Sequence, residues 1–355
     1  MMSGPAPVLA ATAAFGLASG AANLEAATPK GALGALAVSP DGATVAAAGD
    51  NHALYLIDPA TLEVRQRIHL GSNPQEMWYS ADGKTLAVWT LDDEIRLLST
   101  ADWSLKATLP DVFQVAHAAR ADALVILGRP KCANDVSTTP LSVVSLADGA
   151  TTLAASATGE VVGLAAKADA SGFVLITKGV KDESEAKAET PKDLKGAEKE
   201  TFELQHDGNT AEIVVLDGAG AETARVKSWY SQSGQLAGAH DGAQATFVGY
   251  GNENLTVKAD GSLVGLFQGP TSYNYGIGVA PDQARIALGG LRHGSLVTLA
   301  DQAGAVFELD QIQGWPEYYK GFAFAPDGSV YAGTTSFRLV HIGADGKIVA
   351  AKPVF

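Results

Sequence analysis

An Asp-bearing turn set between two apolar runs recurs seven times along the chain, at Asp41, Asp82, Asp122, Asp169, Asp241, Asp282 and Asp327. The spacings are 41, 40, 47, 72, 41 and 45 residues. Periodicity on this scale means one supersecondary unit repeated, not a mixed fold with a single core. The turn residues have a physical logic. In Ser39-Pro40-Asp41-Gly42, Ser80-Ala81-Asp82-Gly83 and Ala325-Pro326-Asp327-Gly328, Pro where present pre-sets φ, Asp bonds its own turn, and Gly takes the left-handed position without steric cost. Ala280-Pro281-Asp282-Gln283 lacks the glycine, His240-Asp241-Gly242 lacks the proline, and Asp122 and Asp169 sit in degraded copies.

A second turn series runs out of phase with the first, at Asp58-Pro59, Ala101-Asp102, Asp148-Gly149, Asp217-Gly218, Asp260-Gly261, Ala300-Asp301 and Asp345-Gly346. Each member separates strand-like runs such as Leu54 to Ile57 and Val64 to Ile68. Two interleaved series of one period give four strands per repeat, which predicts an all-β chain folded as a seven-bladed β-propeller of four-stranded antiparallel blades. Lys347 to Val354 completes a last strand, so closure is expected without exchange of the N-terminal segment.

The pattern resembles the bacterial YVTN-type repeat propellers, relatives of the WD40 group. Gly71-Ser72-Asn73-Pro74 leading into Ser80-Ala81-Asp82-Gly83-Lys84-Thr85-Leu86-Ala87-Val88 carries the likeness, as does Tyr55-Leu56-Ile57-Asp58-Pro59-Ala60-Thr61 followed by Val64-Arg65-Gln66-Arg67-Ile68. It extends over roughly residues 31–355. No Trp-Asp dipeptide and no Gly-His pair opens a repeat, so the hydrogen-bonded tetrad of true WD40 blades is not expected.

The expected organisation is an Ala-rich leader over residues 1–30 and a propeller over 31–355, with a charged insertion at 181–209 in the fourth blade. Residues 1–24 carry no charge, and Val8 to Ala22 matches the apolar core and small-residue end of a secretory signal, though without its basic start. The resemblance adds weight to a periplasmic or secreted location; a cytoplasmic one stays open. The lone Cys132 excludes an intrachain disulfide framework. A net charge of −14 and the lack of a basic patch argue against nucleic acid and anionic membranes as partners. No segment is apolar enough for a membrane span.

The irregularities fall in one place. Lys181 to Asp207, with five Lys and nine Asp or Glu, lies between a strand ending near Thr177 and one starting near Glu212. Gly128 to Pro140 interrupts the third blade at the same step, between its second and third strands. In the propeller family these connections, and those leading from one blade to the next, emerge on one face. That same face is expected to hold the aromatic segments Trp229-Tyr230, Ser272-Tyr273-Asn274-Tyr275 and Trp315-Pro316-Glu317-Tyr318-Tyr319-Lys320. Plugs between blades and solvated loops are the plain alternatives. The sharper expectation is a contact surface for a protein or peptide partner, built from Trp315, Glu317, Tyr318, Tyr319, Tyr273, Asn274, Tyr275, Trp229 and Lys131, because Trp and Tyr are rigid amphipathic anchors.

No phosphate loop, metal-binding Cys or His spacing, or nucleophile elbow occurs. The leading expectation is therefore a non-catalytic scaffold with no cofactor. The alternative is a metal-dependent propeller hydrolase or lactonase, holding Ca²⁺ or another divalent cation through Glu76, Asp92, Glu160 and Glu317 at the channel mouth. His117 falls on an inner strand and is expected to be a satisfied core residue.

Overall fold

A computed structural model of the chain describes residues 31–179, 189–196, 199, 202–203, 211–227, 236–249, 253–268, 273–310 and 316–354. The leader and most of the charged insertion lie outside the described residues, as do Trp229 and Trp315.

The repeated turns form as their composition dictates. In the first repeat the Asp41 carboxylate accepts from Ser39 Oγ at 2.6 Å and from the Ala43 amide at 2.9 Å, while Gly42 stands at φ 69°. The same geometry recurs at Asp82, whose bonds from the Lys84 amide and Ser80 hydroxyl hold its carboxyl down to about 2. Each turn joins an inner strand to the next one out. The first repeat runs Leu33–Val38, Val45–Gly49, Ala53–Ile57 and Val64–His69, paired antiparallel in that order. The inner and second strands are almost wholly buried, whereas Val64–His69 is largely open on the outside.

The result is an all-β, propeller-like ring of sheets. Hydrophobic clusters sit between successive repeats all round. The first repeat packs on the second through Ala35, Ala46, Met77 and Leu86, the second on the third through Trp89, Leu97 and Leu124, and the third on the fourth through Val125, Leu141 and Leu164. The fourth meets the fifth at Ile176, Ala245 and Phe247, and the fifth meets the sixth at Val248 and Ile286. The ring closes through Leu296, Phe307 and Tyr319 between sixth and seventh, then Leu33, Tyr331 and Leu339 between seventh and first. The last sheet draws all four strands from one stretch, ending in Ile348–Pro353.

Seven separate four-stranded blades are not what forms. Among the described residues hydrogen bonding yields four sheets of four strands, one of five and one of eight. The five-stranded sheet arises because the third-repeat insertion is itself a β-hairpin: Lys131–Ala133 pairs with the start of Val136–Ser145. Its turn residues Asn134 and Asp135 both have positive φ, 50° and 62°, which suits a two-residue hairpin turn. The eight-stranded sheet joins the fourth and fifth repeats, whose inner strands Val161–Ala166 and Leu236–His240 pair in parallel at Gly163–Leu236 and Leu164–Ala237. Gly238 permits this approach, since a Cβ there would collide with the Leu164 carbonyl.

Where the turn pattern departs from its rule, the side chain has another task. Gln283 replaces the glycine and adopts φ 63°, a strained region for a non-glycine residue. Its amide Nε2 donates to the His117 carbonyl oxygen at 3.0 Å, and its Oε1 accepts from the His240 amide at 3.3 Å. One side chain thus ties the third, fifth and sixth repeats together across the floor of the ring. Gln283→Ala keeps the backbone strain and strands two backbone groups, so it is expected to cost about 2 kcal/mol in equilibrium denaturation. A change below about 0.5 kcal/mol would show the strut to be idle.

Candidate functional site

The inner strands enclose a channel of about 530 Å³ that runs from the insertion-bearing face to the Pro-Asp-Gly turns. Its wall comes from six of the repeats; no residue of Val161–Ala166, which is buried throughout, lines it. Aromatic and apolar groups dominate the wall, among them Trp78, Trp89, Met77, Phe322 and Phe324. Among them stand Glu76 on Pro74–Tyr79, His117 on Val112–Ala118 and Lys320 on Tyr319–Phe324. Irregular pairing at the top of two inner strands places Gln75 between Pro74 and Glu76, and Lys320 between Tyr319 and Gly321. Bulges of this kind re-aim side chains.

Glu76 is exposed to the channel's own solvent, with protein packed densely around it. That desolvation raises its pKa from 4.5 to about 7, with no charged neighbour among the causes. His117 shares the same side of the channel, its ring 6.4 Å from that of Trp78, and desolvation lowers its pKa from 6.5 to about 4. The expectation of a satisfied core histidine is thus corrected: the residue borders the channel. The other titratable groups on the wall are Lys320, Asp122, Tyr79 and Tyr275. Between pH 4.5 and about 7 the folded protein keeps the Glu76 proton that the unfolded chain releases, so this group's contribution to stability falls as pH rises. His117 acts in the opposite sense between about 4 and 6.5, favouring stability as pH rises. Glu76→Gln removes only the first effect. The stability difference, variant minus wild type, is therefore expected to grow from pH 4.5 to 7; a flat difference in denaturant titrations across that range would refute the burial of the charge.

Around the channel mouth, the expected contact residues separate into two groups. Tyr273 is 60% exposed and its ring lies 6.4 Å from that of Tyr275, which in turn meets Tyr318 edge-on at 4.9 Å. Leu291, 45% exposed, bridges to Tyr318 through the backbone. These four make an apolar rim over the sixth and seventh repeats. Asn274, by contrast, is buried and donates to the Gly249 carbonyl oxygen at 3.2 Å, fixing the rim from below. Tyr319 is fully buried against Phe307 and Phe322, so it is core and not contact surface. Glu317 is also withdrawn: its carboxylate accepts from Arg338 Nε at 2.9 Å and Nη2 at 2.5 Å and from Thr334 Oγ1 at 2.5 Å. Lys131 is exposed on the third-repeat hairpin, beside the exposed, free Cys132.

The four carboxylates considered for a metal do not converge. Glu317 is bound to Arg338, Glu160 pairs with Lys178 at 3.0 Å, Asp92 is exposed in a turn, and Glu76 stands in the channel. Among the described residues no group of three His, Cys, Asp or Glu is placed to hold a metal ion. No helix among them is long and apolar enough to cross a membrane.

Trp78, Lys320, Leu291 and Gln283 were not among the expected site residues. Only Gln283 had a visible signal, as the residue standing where the turn calls for glycine. Compared with models of known families and with curated proteins, the sequence matches none.

Proposed function

We propose that the chain is a non-catalytic scaffold, a propeller of the YVTN type, that holds a protein or peptide partner on its insertion-bearing face. The observation that carries this reading is the row of exposed Tyr273 and Tyr275 and half-buried Tyr318 with exposed Leu291, set beside the channel mouth. Clustered exposed aromatics at the entry to inner strands are costly in water and suited to recognition, because a Tyr side chain has few torsions to lose when a partner covers it. The net charge of −14 favours a partner segment with basic residues. The uncharged leader supports a location outside the cytoplasm.

The test is affinity purification from the native host, with the wild type beside Tyr273→Ala/Tyr318→Ala and beside a deletion of residues 181–209. Loss of two hot-spot aromatics is expected to weaken a specific partner at least about 30-fold, enough to remove it from the eluate. Partner lists that match across all three proteins would sink the reading.

A further inference from the structure

The channel beneath the rim is lined by an acid and a base that form no ion pair among the described residues. Glu76 forms no ion pair among the described residues, and no charged group offsets its desolvation. Lys320 likewise makes no salt bridge among them, although it projects from a bulge onto the same cavity. Enclosed charges are normally paired, because burying either one alone is costly. Here the two occupy different walls, the second and seventh repeats, with the first repeat between them. In that intervening wall Gly34 presents no side chain to the cavity, which Glu76 and Lys320 both line. The rest of the lining is the mixture that small-molecule sites use: aromatic walls from Trp78, Trp89 and Phe322, and amide groups from Gln75 and Gln114. The volume, about 530 Å³, is in the range of such sites.

We infer that the channel binds a small organic zwitterion of the amino-acid class, its ammonium on Glu76, its carboxylate on Lys320 and its apolar body against Trp78 and Phe322. A single ligand then supplies both missing counter-charges, which neither a plain amine nor a plain carboxylic acid can do. Trp78 beside Glu76 adds a π face to the ammonium end. This assignment goes beyond the partner-binding reading and is independent of it, because Tyr273 and Tyr318 lie outside the channel lining.

The experiment is isothermal titration calorimetry of the full chain against L-leucine, L-phenylalanine, 4-aminobutanoate and 6-aminohexanoate, with butylamine and butyrate as one-ended controls. Wild type, Glu76→Gln and Lys320→Met are compared, each checked by near-ultraviolet circular dichroism for an intact fold. At least one zwitterion is expected to bind the wild type at least tenfold more tightly than either control, and each variant to lose at least tenfold. Three failures are distinct. Absence of binding by all four zwitterions overturns the site. Butylamine binding as tightly as the zwitterions, with Lys320→Met unchanged, makes it a plain cation site and overturns the zwitterion. Binding indifferent to both variants places the ligand elsewhere and also overturns the assignment. The Tyr273→Ala/Tyr318→Ala protein should bind the zwitterion as wild type does, so loss of partner capture and loss of ligand binding report on separate claims.

Discussion

Glu317→Ala is expected to destabilise the protein by about 3–5 kcal/mol, because it removes one member of a buried ion pair and leaves the other behind. The Glu317 side chain is 2% exposed and that of Arg338 14%. The carboxylate takes two bonds from the guanidinium and one from Thr334 Oγ1. Without it the Arg338 guanidinium retains, among the described residues, only the bond from Nη2 to the Asp310 carbonyl oxygen at 3.1 Å, too little for a largely desolvated cation. The pair also fixes the segment just before Tyr318, whose ring belongs to the channel rim, so the variant should loosen the rim before the whole ring unfolds. Urea denaturation followed by tryptophan fluorescence measures the first effect, and hydrogen exchange at residues 316–319 the second. A loss under about 1 kcal/mol would mean that water reaches Arg338 and that the pair does not secure this corner. Glu317→Gln, which keeps an acceptor, should lose less.

The seam between the seventh repeat and the first should be as sensitive to a single methyl group. A Cβ on Gly321 would collide with the Gly34 carbonyl oxygen, and one on Gly333 with that of Leu33. In both cases the obstacle is backbone of the first inner strand, which cannot rotate away as a side chain could. Gly321→Ala must therefore push the first repeat off the last, at an expected cost of about 3 kcal/mol or more, the upper range for overpacking. Gly34→Ala is the control, on the facing strand, where the nearest atom would be Lys320 Cβ at an ordinary 3.9 Å. Denaturation midpoints should fall sharply for the first and barely for the second. Equal shifts would show that the ring tolerates a wider seam.

Most of the strand plan was legible in the sequence. The expected strand ends at Thr177 and Glu212, on either side of the charged insertion, match Gly172–Thr177 and Glu212–Asp217. Six of the seven Asp turns formed with the side-chain bonds their residues imply, while Asp122 accepts from the Ala81 amide of the neighbouring repeat instead. Strands and turns are local: they follow from alternation of apolar residues and from what Pro, Asp and Gly do to φ, and both are written in neighbouring positions. The candidate site was legible only in part. Its aromatic segments stood out, but Tyr318 reaches the rim while the adjacent Tyr319 is buried, because successive side chains along extended backbone point to opposite sides. Which of the two faces solvent depends on how the last repeat sits against the sixth.

The chain's own order of residues determines an all-β ring of repeated antiparallel strands, its turn chemistry, and the step at which both insertions occur. Tertiary packing decided the rest. It fused the fourth and fifth repeats into one sheet, through glycine and alanine positions whose closeness only the closed ring reveals. It paired Glu317 with Arg338, 21 residues away, and brought Glu76 and Lys320 to one cavity from opposite ends of the chain. Such contacts depend on distances set by ring closure, and no local pattern encodes them.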